Sequence, residues 1–486
     1  MKFKSIILYT TTFCFLCISC NKFVDINTDP NSPRNVPLRT LLPTTTMGIA
    51  FANSNELGKV AAHLVQYSAG ISGSAYAYDQ WNIGSLDNQW NGEVYGNSLV
   101  NLQITIKQAD STRSPIYSGI AKLQKAYLMS IATDVWGDVP YSQAGQSLAF
   151  PTPRFDAQKD IYLGNPSSNI TSLFNLVRSG ISDLSQPLSA SVYKPSNDDV
   201  VYGGDSAKWI RVGNTLLLKL ALQVSNVAPD TTRSVINSII SSNAPIIDNS
   251  AYDFKVPYTS ANPNAYYMQD FVGSIPGTQM LSSRFLALMR TQNDSLRLSK
   301  FFTKPAATFI GYDNGSSFAA PASNTRSVYG TYVVGTAGEA PVRMLTSFQT
   351  AFILAEATLL YGVPGDPNAY YQSGIKQSMK AAGLADADIN AYFNANPSIV
   401  TLSGSNTDKL KQIITQKYIS LVGNAVESYN DYRRTGYPVL TPPLTTAGDD
   451  PNVLPKRYPY TNSEGNANPN QPNPRPSTNV KVWWGM

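Results

Sequence analysis

Asp134 and Asp138 lie four residues apart and flank Trp136 in the string Thr133-Asp134-Val135-Trp136-Gly137-Asp138-Val139-Pro140-Tyr141. Paired carboxylates beside an aromatic ring are the chemistry of glycoside hydrolysis, one giving a proton while the other attacks or activates water. The competing reading, which the local pattern favours, is a helix end where Asp138 organises a turn and Trp136 packs. His63 is the sole histidine among 486 residues. A two-histidine zinc site is therefore impossible, and a Ser-His-Asp triad would have to use His63. That residue sits beside the stripe Leu57, Val60, Leu64 and reads as a packed helix residue. Arg433-Arg434 has the chemistry to grip an anion, but a scaffold role is favoured, with Glu356 as a natural partner for either guanidinium. No catalytic residue, metal site or cofactor is assigned.

The segment Tyr76-Ala77-Tyr78-Asp79-Gln80-Trp81-Asn82 has a different character, alternating rings with polar groups downstream of Gly70 and Gly73 and showing no helical stripe. Exposed tyrosine and tryptophan cost free energy unless something covers them. Sugar rings suit that task, because their C–H faces lie on aromatic rings while their hydroxyls bond to Asp, Asn and Gln. Trp81 is expected to be the main stacking platform, supported by Tyr76 and Tyr78, with Asp79 and Asn82 bonding to hydroxyls. Tyr266, Tyr267 and Phe271, and beyond them Tyr312 and Phe318, are further ligand candidates, whereas Trp90 and Tyr95 read as scaffold.

What must position these residues is mainly helix. Ile116, Ile120, Leu123, Tyr127 and Ile131 recur at spacings of three and four until Gly137 and Pro140 stop the pattern. Gly137 is expected at a left-handed position after the helix. Ile170, Leu173, Val177, Ile181 and Leu184 form a second stripe; Trp209, Val212, Leu216, Leu220 and Val224 form a third, with Ser206 as its expected N-cap. Phe348, Phe352, Ala355 and Leu359 stripe a helix that Gly362 ends, and the turn Pro364-Gly365-Asp366-Pro367 leads into a second helix through Tyr371, Ile375 and Met379. Two helices joined so tightly make the hairpin unit of helical-repeat proteins. Long Asn-, Gly-, Ser- and Tyr-rich stretches at 68–96, 255–277 and 303–341 read as loop insertions, and 441–486 as a Pro/Asn-rich carboxy-terminal arm pinned by Trp483 and Trp484.

Charged residues make up 14% of the chain and hydrophobic ones 42%, which argues against disorder. The formal charge of +5 falls to +3 once Lys2 and Lys4 are removed with the leader, and no basic run is dense enough for a phosphate backbone, so nucleic acid is excluded as a partner. Ile6 to Ile18 is too short for the about 20 apolar residues of a membrane span and reads as the core of a signal peptide. All three cysteines, Cys14, Cys17 and Cys20, crowd its end. Cys20 after Ser19 fits a lipoprotein cleavage site, with residues 1–19 removed, the Cys20 thiol acylated, 20–40 a lipidated tether and 41–486 a single body. Cys17 stands where the usual signal has leucine. Each buried methylene adds ~0.8 kcal/mol, so several acyl chains together hold such a protein on a membrane.

Six strings, in order along the mature chain, carry a resemblance. They are Asn27-Thr28-Asp29-Pro30-Asn31; the Thr133–Tyr141 turn; Tyr202-Gly203-Gly204-Asp205 with Lys208-Trp209 and Asn214-Thr215-Leu216; Phe352-Ile353-Leu354-Ala355-Glu356-Ala357; Tyr429-Asn430-Asp431-Tyr432-Arg433-Arg434-Thr435-Gly436-Tyr437-Pro438; and Asn479 to Trp484. Together they resemble the SusD/RagB family of nutrient-binding outer-membrane lipoproteins. The resemblance implies a mostly α body on a tetratricopeptide-like scaffold whose loops form the ligand face. It also implies a non-enzymatic surface protein that captures oligosaccharide and passes it to a SusC-type TonB-dependent transporter at the outer membrane. Gln349 departs from the family pattern, where many members carry glutamate. The alternatives are an oligopeptide-binding member of the same family, a glycoside hydrolase, and a scaffold that binds only protein.

Overall fold

The computed structural model describes residues 36–486 apart from 147, 274, 275 and 306, so the leader and Cys20 lie outside the described residues. The helices that matter below are α1 (Leu38–Ser54), α2 (Glu56–Leu64), α3 (Gly73–Asp79), α4 (Val100–Ser111), α5 (Pro115–Trp136), α6 (Leu173–Leu184), α7 (Ser206–Gln223), α8 (Pro229–Ser241), α9 (Ser347–Leu360), α10 (Pro367–Ala381), α11 (Asn406–Ser420) and α12 (Ala425–Thr435). Helix α1 begins inside the stretch read as tether. Among the described residues, no helix is long and apolar enough to cross a membrane.

Local chemistry accounts for most of these boundaries. Helix α5 opens with Pro115 at its first position, where the missing N–H costs nothing. It closes at Gly137, whose φ of 84° and ψ of −122° lie in territory that a β-branched residue cannot occupy without strain. The φ is positive as expected, but ψ lies outside the left-handed helical basin. The second stripe starts later than its first apolar residue: Ile170 precedes the helix, and Ser172 caps it by accepting from Asn175 N–H at 3.0 Å. The third is capped by Asp205, not Ser206. The Asp205 carboxylate takes the N–H groups of Ala207 and Lys208 at 3.0 and 3.2 Å, satisfying two donors that a helix start leaves orphaned.

The main core gathers α1, α2, α5, α7 and α12 around Trp90, Trp136, Trp209 and Trp484, all essentially inaccessible. A second cluster is built by Phe348 and Phe352 of α9, Tyr371, Ile375 and Met379 of α10, and Ile413 of α11. The hairpin read from the sequence therefore exists. It packs on a third helix that starts with a capping box between Ser405 and Asp408. Three short antiparallel pairs tie distant loops together: Ser68–Gly70 with Gln279–Leu281, Val139–Pro140 with Phe155–Asp156, and Phe254–Val256 with Val342–Leu345.

The stretches read as loops hold more regular structure than their composition suggests. Residues 68–96 contain a strand, α3 and the start of a π-wound helix over Gln89–Leu99; Ala265–Val272 is helical, and Thr331–Val334 forms one helical turn. A helix of seven residues built from Gly, Ser, Ala, Tyr and Asp has no stripe to read, and in isolation it is too short to form. Tertiary packing holds it instead.

Candidate functional site

The two carboxylates flanking Trp136 turn out to serve separate structural tasks. Asp134 is fully buried and accepts from Tyr162 Oη at 2.6 Å, Trp484 Nε1 at 3.0 Å and Asn430 Nδ2 at 2.9 Å, with Lys219 Nζ at 3.8 Å. Burial lifts its pKa to about 6 against the opposing pull of Lys219. Asp138 faces outward and accepts the Gln158 N–H at 2.7 Å, organising the turn into the next helix. His63 is equally occupied: its Nδ1 lies 2.8 Å from the Lys59 carbonyl, and burial lowers its pKa to about 3, so the ring is neutral. Arg433 donates to the carbonyls of Asp134 and Lys456 at 2.7 and 2.9 Å and lies over the rings of Tyr429 and Trp484. Arg434 forks onto Glu356. Among the described residues, no cluster of three His, Cys, Asp or Glu could hold a metal ion.

The segment 76–82 needs correction. It is α3 and its exit, not an exposed loop, and its largest rings point inward. Trp81 is 4% exposed and Tyr78 6%, both within the main core. The Tyr78 hydroxyl donates to Glu56 Oε1 at 2.7 Å. Asp79, 1% exposed, cannot reach a ligand hydroxyl. Tyr266 is also buried, and its hydroxyl donates to the Gly423 carbonyl at 3.0 Å. Of the seven residues read as ligand contacts, Tyr76 and Tyr267 remain half-buried and Asn82 exposed. Tyr267 stacks on Phe271 with centroids 5.2 Å apart and planes 16° from parallel, and Phe271 is 40% exposed. Phe318 is 78% exposed, while Tyr312 beneath it is buried and donates to the Phe318 carbonyl at 2.6 Å. Of the candidate rings read from the sequence, the exposed ones are thus Phe271 and Phe318, in 255–277 and 303–341. A signal existed: Tyr267 and Phe271 stand four apart, the spacing at which side chains meet on a helix.

Asp79 has another use. Its carboxylate accepts from the Gly70 N–H at 2.7 Å, the Gly315 N–H at 3.2 Å and Asn314 Nδ2 at 2.8 Å. The adjoining Gln80 carbonyl takes the Ala447 N–H at 2.8 Å, and Gln80 Nε2 donates to Thr445 Oγ1 at the same distance. Three sequence-distant segments (68–82, 310–318 and 441–448) are knitted at this point. Burial, the largest influence, pushes the Asp79 pKa up to about 8, against those three donors and the nearby Arg284 charge. Between the ordinary value of 3.8 and about 8 the folded chain keeps a proton that the unfolded chain releases. Stability from this group is therefore complete below that window and is lost as pH rises through it. Urea midpoints of the wild type should fall between pH 6.5 and 8.5 more steeply than those of Asp79→Asn. Parallel pH profiles for the two proteins would show that Asp79 does not titrate there.

Comparison with known proteins follows the same lines. A family model described as SusD-like, starch-binding associating with outer membrane, matches residues 30–461. A chitin-binding SusD homologue from Flavobacterium johnsoniae superposes with a TM-score of 0.76 at 20% identity, covering 92% of this chain and 98% of that one. A SusD homologue from Bacteroides fragilis gives 0.76 at 21% identity, with coverages of 92% and 100%. Another from Bacteroides uniformis gives 0.73 at 22%, with coverages of 92% and 98%. At these identities the likeness is one of fold, a mostly α, tetratricopeptide-like body. No curated protein sequence matches significantly.

Proposed function

The chain belongs to the SusD-like family of starch-binding proteins associating with the outer membrane, and from that premise we propose that it binds oligosaccharide at the cell surface and delivers it to a SusC-type TonB-dependent transporter, without catalysis. The observation that carries this reading is the stacked pair Tyr267–Phe271, with the Phe271 ring 40% exposed. A flat, exposed ring fits the C–H face of a sugar. The chitin-binding relative agrees with a glycan as ligand. Paired-carboxylate hydrolysis needs two available carboxyl groups, and the buried, fully engaged Asp134 leaves only Asp138 accessible at the Trp136 turn.

Affinity electrophoresis through gels containing soluble starch or glycol chitin is the direct test. Phe271→Ala should weaken retention several-fold, since removing an anchoring ring costs more than ~1 kcal/mol. Its melting temperature should move little, because the ring is partly exposed already. Retention by no glycan, with binding to a casein digest instead, would transfer the protein to the oligopeptide-binding class.

Attachment through an acylated Cys20 belongs to the same proposal. Cys20→Ser should move the chain from the membrane fraction to the soluble one without unfolding it. A variant that stays membrane-bound in cells lacking the transporter refutes lipid anchoring.

A further inference from the structure

A cavity of about 730 Å³ opens between α4, the middle of α5 and the segment after Tyr141. It lies apart from Tyr267, Phe271 and Phe318, none of which lines it. Its walls are largely apolar, with Val100, Ile104 and Ile106 on α4 facing Ala149 across the opening, and Ile104 is 44% exposed. At the far wall Gln103 donates to the Ala144 carbonyl at 2.8 Å and lies over Gly145, whose φ of 69° disfavours a side chain there.

The charges in this cavity do not cancel. Lys107 and Lys125 both line it, and neither makes an ion pair or side-chain hydrogen bond among the described residues. The one carboxylate present, Asp110, has a half-exposed side chain; it accepts from Ser118 Oγ at 2.6 Å, and Lys122, 4.0 Å away, is paired with Asp183 at 2.6 Å, so two cations in the lining face one carboxylate. Lys125 has only the face of Tyr141 nearby, its ammonium 5.7 Å from the ring centroid. Burial holds its pKa down, to about 8, because no anion offsets the lost hydration. A lysine in this state resembles one half of an ion pair, with an apolar slot leading up to it. Ligand sites of this kind combine a mostly apolar lining with a few polar groups that fix orientation.

We propose that this cavity is a second ligand site, which takes a small carboxylate carrying an apolar body, with the carboxylate on Lys125 and the body against Ile104, Ile106 and Ala149. The occupant is anionic because the lining is net positive and its half-buried cation, Lys125, has no carboxylate partner among the described residues. It is amphipathic because the surface leading to them is hydrocarbon. Glycan capture on the aromatic face does not depend on this site.

Isothermal titration of the full lipidated chain in one detergent, with 3-phenylpropionate as probe and 3-phenylpropionamide as its neutral match, tests the inference. Partition into micelles is common to every protein compared and cancels between them. The acid should bind at least ~10-fold more tightly than the amide, the discrimination expected of one charge-assisted hydrogen bond. Lys125→Met, which keeps the length and removes the charge, should abolish that preference and leave the melting temperature unchanged or higher. Ile104→Asp, placed at the exposed edge where folding is not at stake, should weaken the acid by a similar factor through like-charge repulsion. Equal binding of acid and amide, an unaltered affinity in Lys125→Met, or no heat up to the solubility limit of the acid would each overturn the proposal. Glycan retention measured on the same samples reports separately on the aromatic face.

Discussion

Replacing Glu356 by alanine should lower the unfolding free energy by about 3–5 kcal/mol, because it strands a buried guanidinium. Arg434 Nη2 lies 2.8 Å from Glu356 Oε2, and Nη1 meets the other oxygen. Arg434 also reaches Asp431 Oδ1 at 3.0 Å, while Lys417 holds the opposite oxygen of Asp431 at 2.8 Å. All four side chains are at most 7% exposed. Burial disfavours the Arg434 charge, and the Glu356 and Asp431 carboxylates together more than offset that cost. Without Glu356, two cations share one carboxylate in a medium that cannot screen them. Helices α9, α11 and α12 meet at this network, so the loss should propagate through the helical-repeat half. Urea unfolding read by circular dichroism measures the effect. The double variant Glu356→Ala/Arg434→Met should recover part of the loss by removing the stranded charge. A single-variant loss below about 1 kcal/mol would mean that water reaches the pair and that it is a surface bridge in energetic terms.

Trp81→Ala should cost a comparable ~3–5 kcal/mol, the range for deleting a large aromatic side chain from a packed core. Trp81 is 4% exposed and stands at a φ of 65°, just after α3, with its N–H donating to the Tyr78 carbonyl at 2.9 Å. Gly448 from the carboxy-terminal arm backs onto it so closely that a Cβ there would come within 2.5 Å of the Trp81 carbonyl oxygen. Truncating the ring therefore opens a cavity beneath the crossing of two distant segments. Thermal unfolding should show a clear fall in the melting temperature. Unchanged stability together with lost glycan retention would return Trp81 to the ligand face.

Helices α5, α7, α9 and α10 were legible in the sequence because their apolar residues recur with the helical period and their ends carry local punctuation, Gly137 after α5 and Pro367 at the start of α10. The pairing of Arg434 with Glu356 was within reach because Glu356 stands in the apolar run Phe352–Ala357, where a buried carboxylate needs an opposite charge. The cap of α7 was misplaced by one residue, since Asp205 and Ser206 are both competent caps and only backbone geometry separates them. Short α3 carried no readable period and was taken for a loop.

Composition and local spacing thus determined the helical class of the chain, the main helices and their breaks, the exclusion of a two-histidine metal site, and the set of aromatic residues from which a ligand face is drawn. Which of those rings meet solvent was decided by tertiary structure alone. Trp81 and Tyr267 both stand in tyrosine-rich, polar stretches with little to distinguish them locally. One is buried in the main core at a point where residues 441–448 cross its backbone from more than 350 positions away, and the other stays half-buried and stacks on the exposed Phe271. Burial is a property of what packs against a residue, and in this protein the covering segments come from remote parts of the chain.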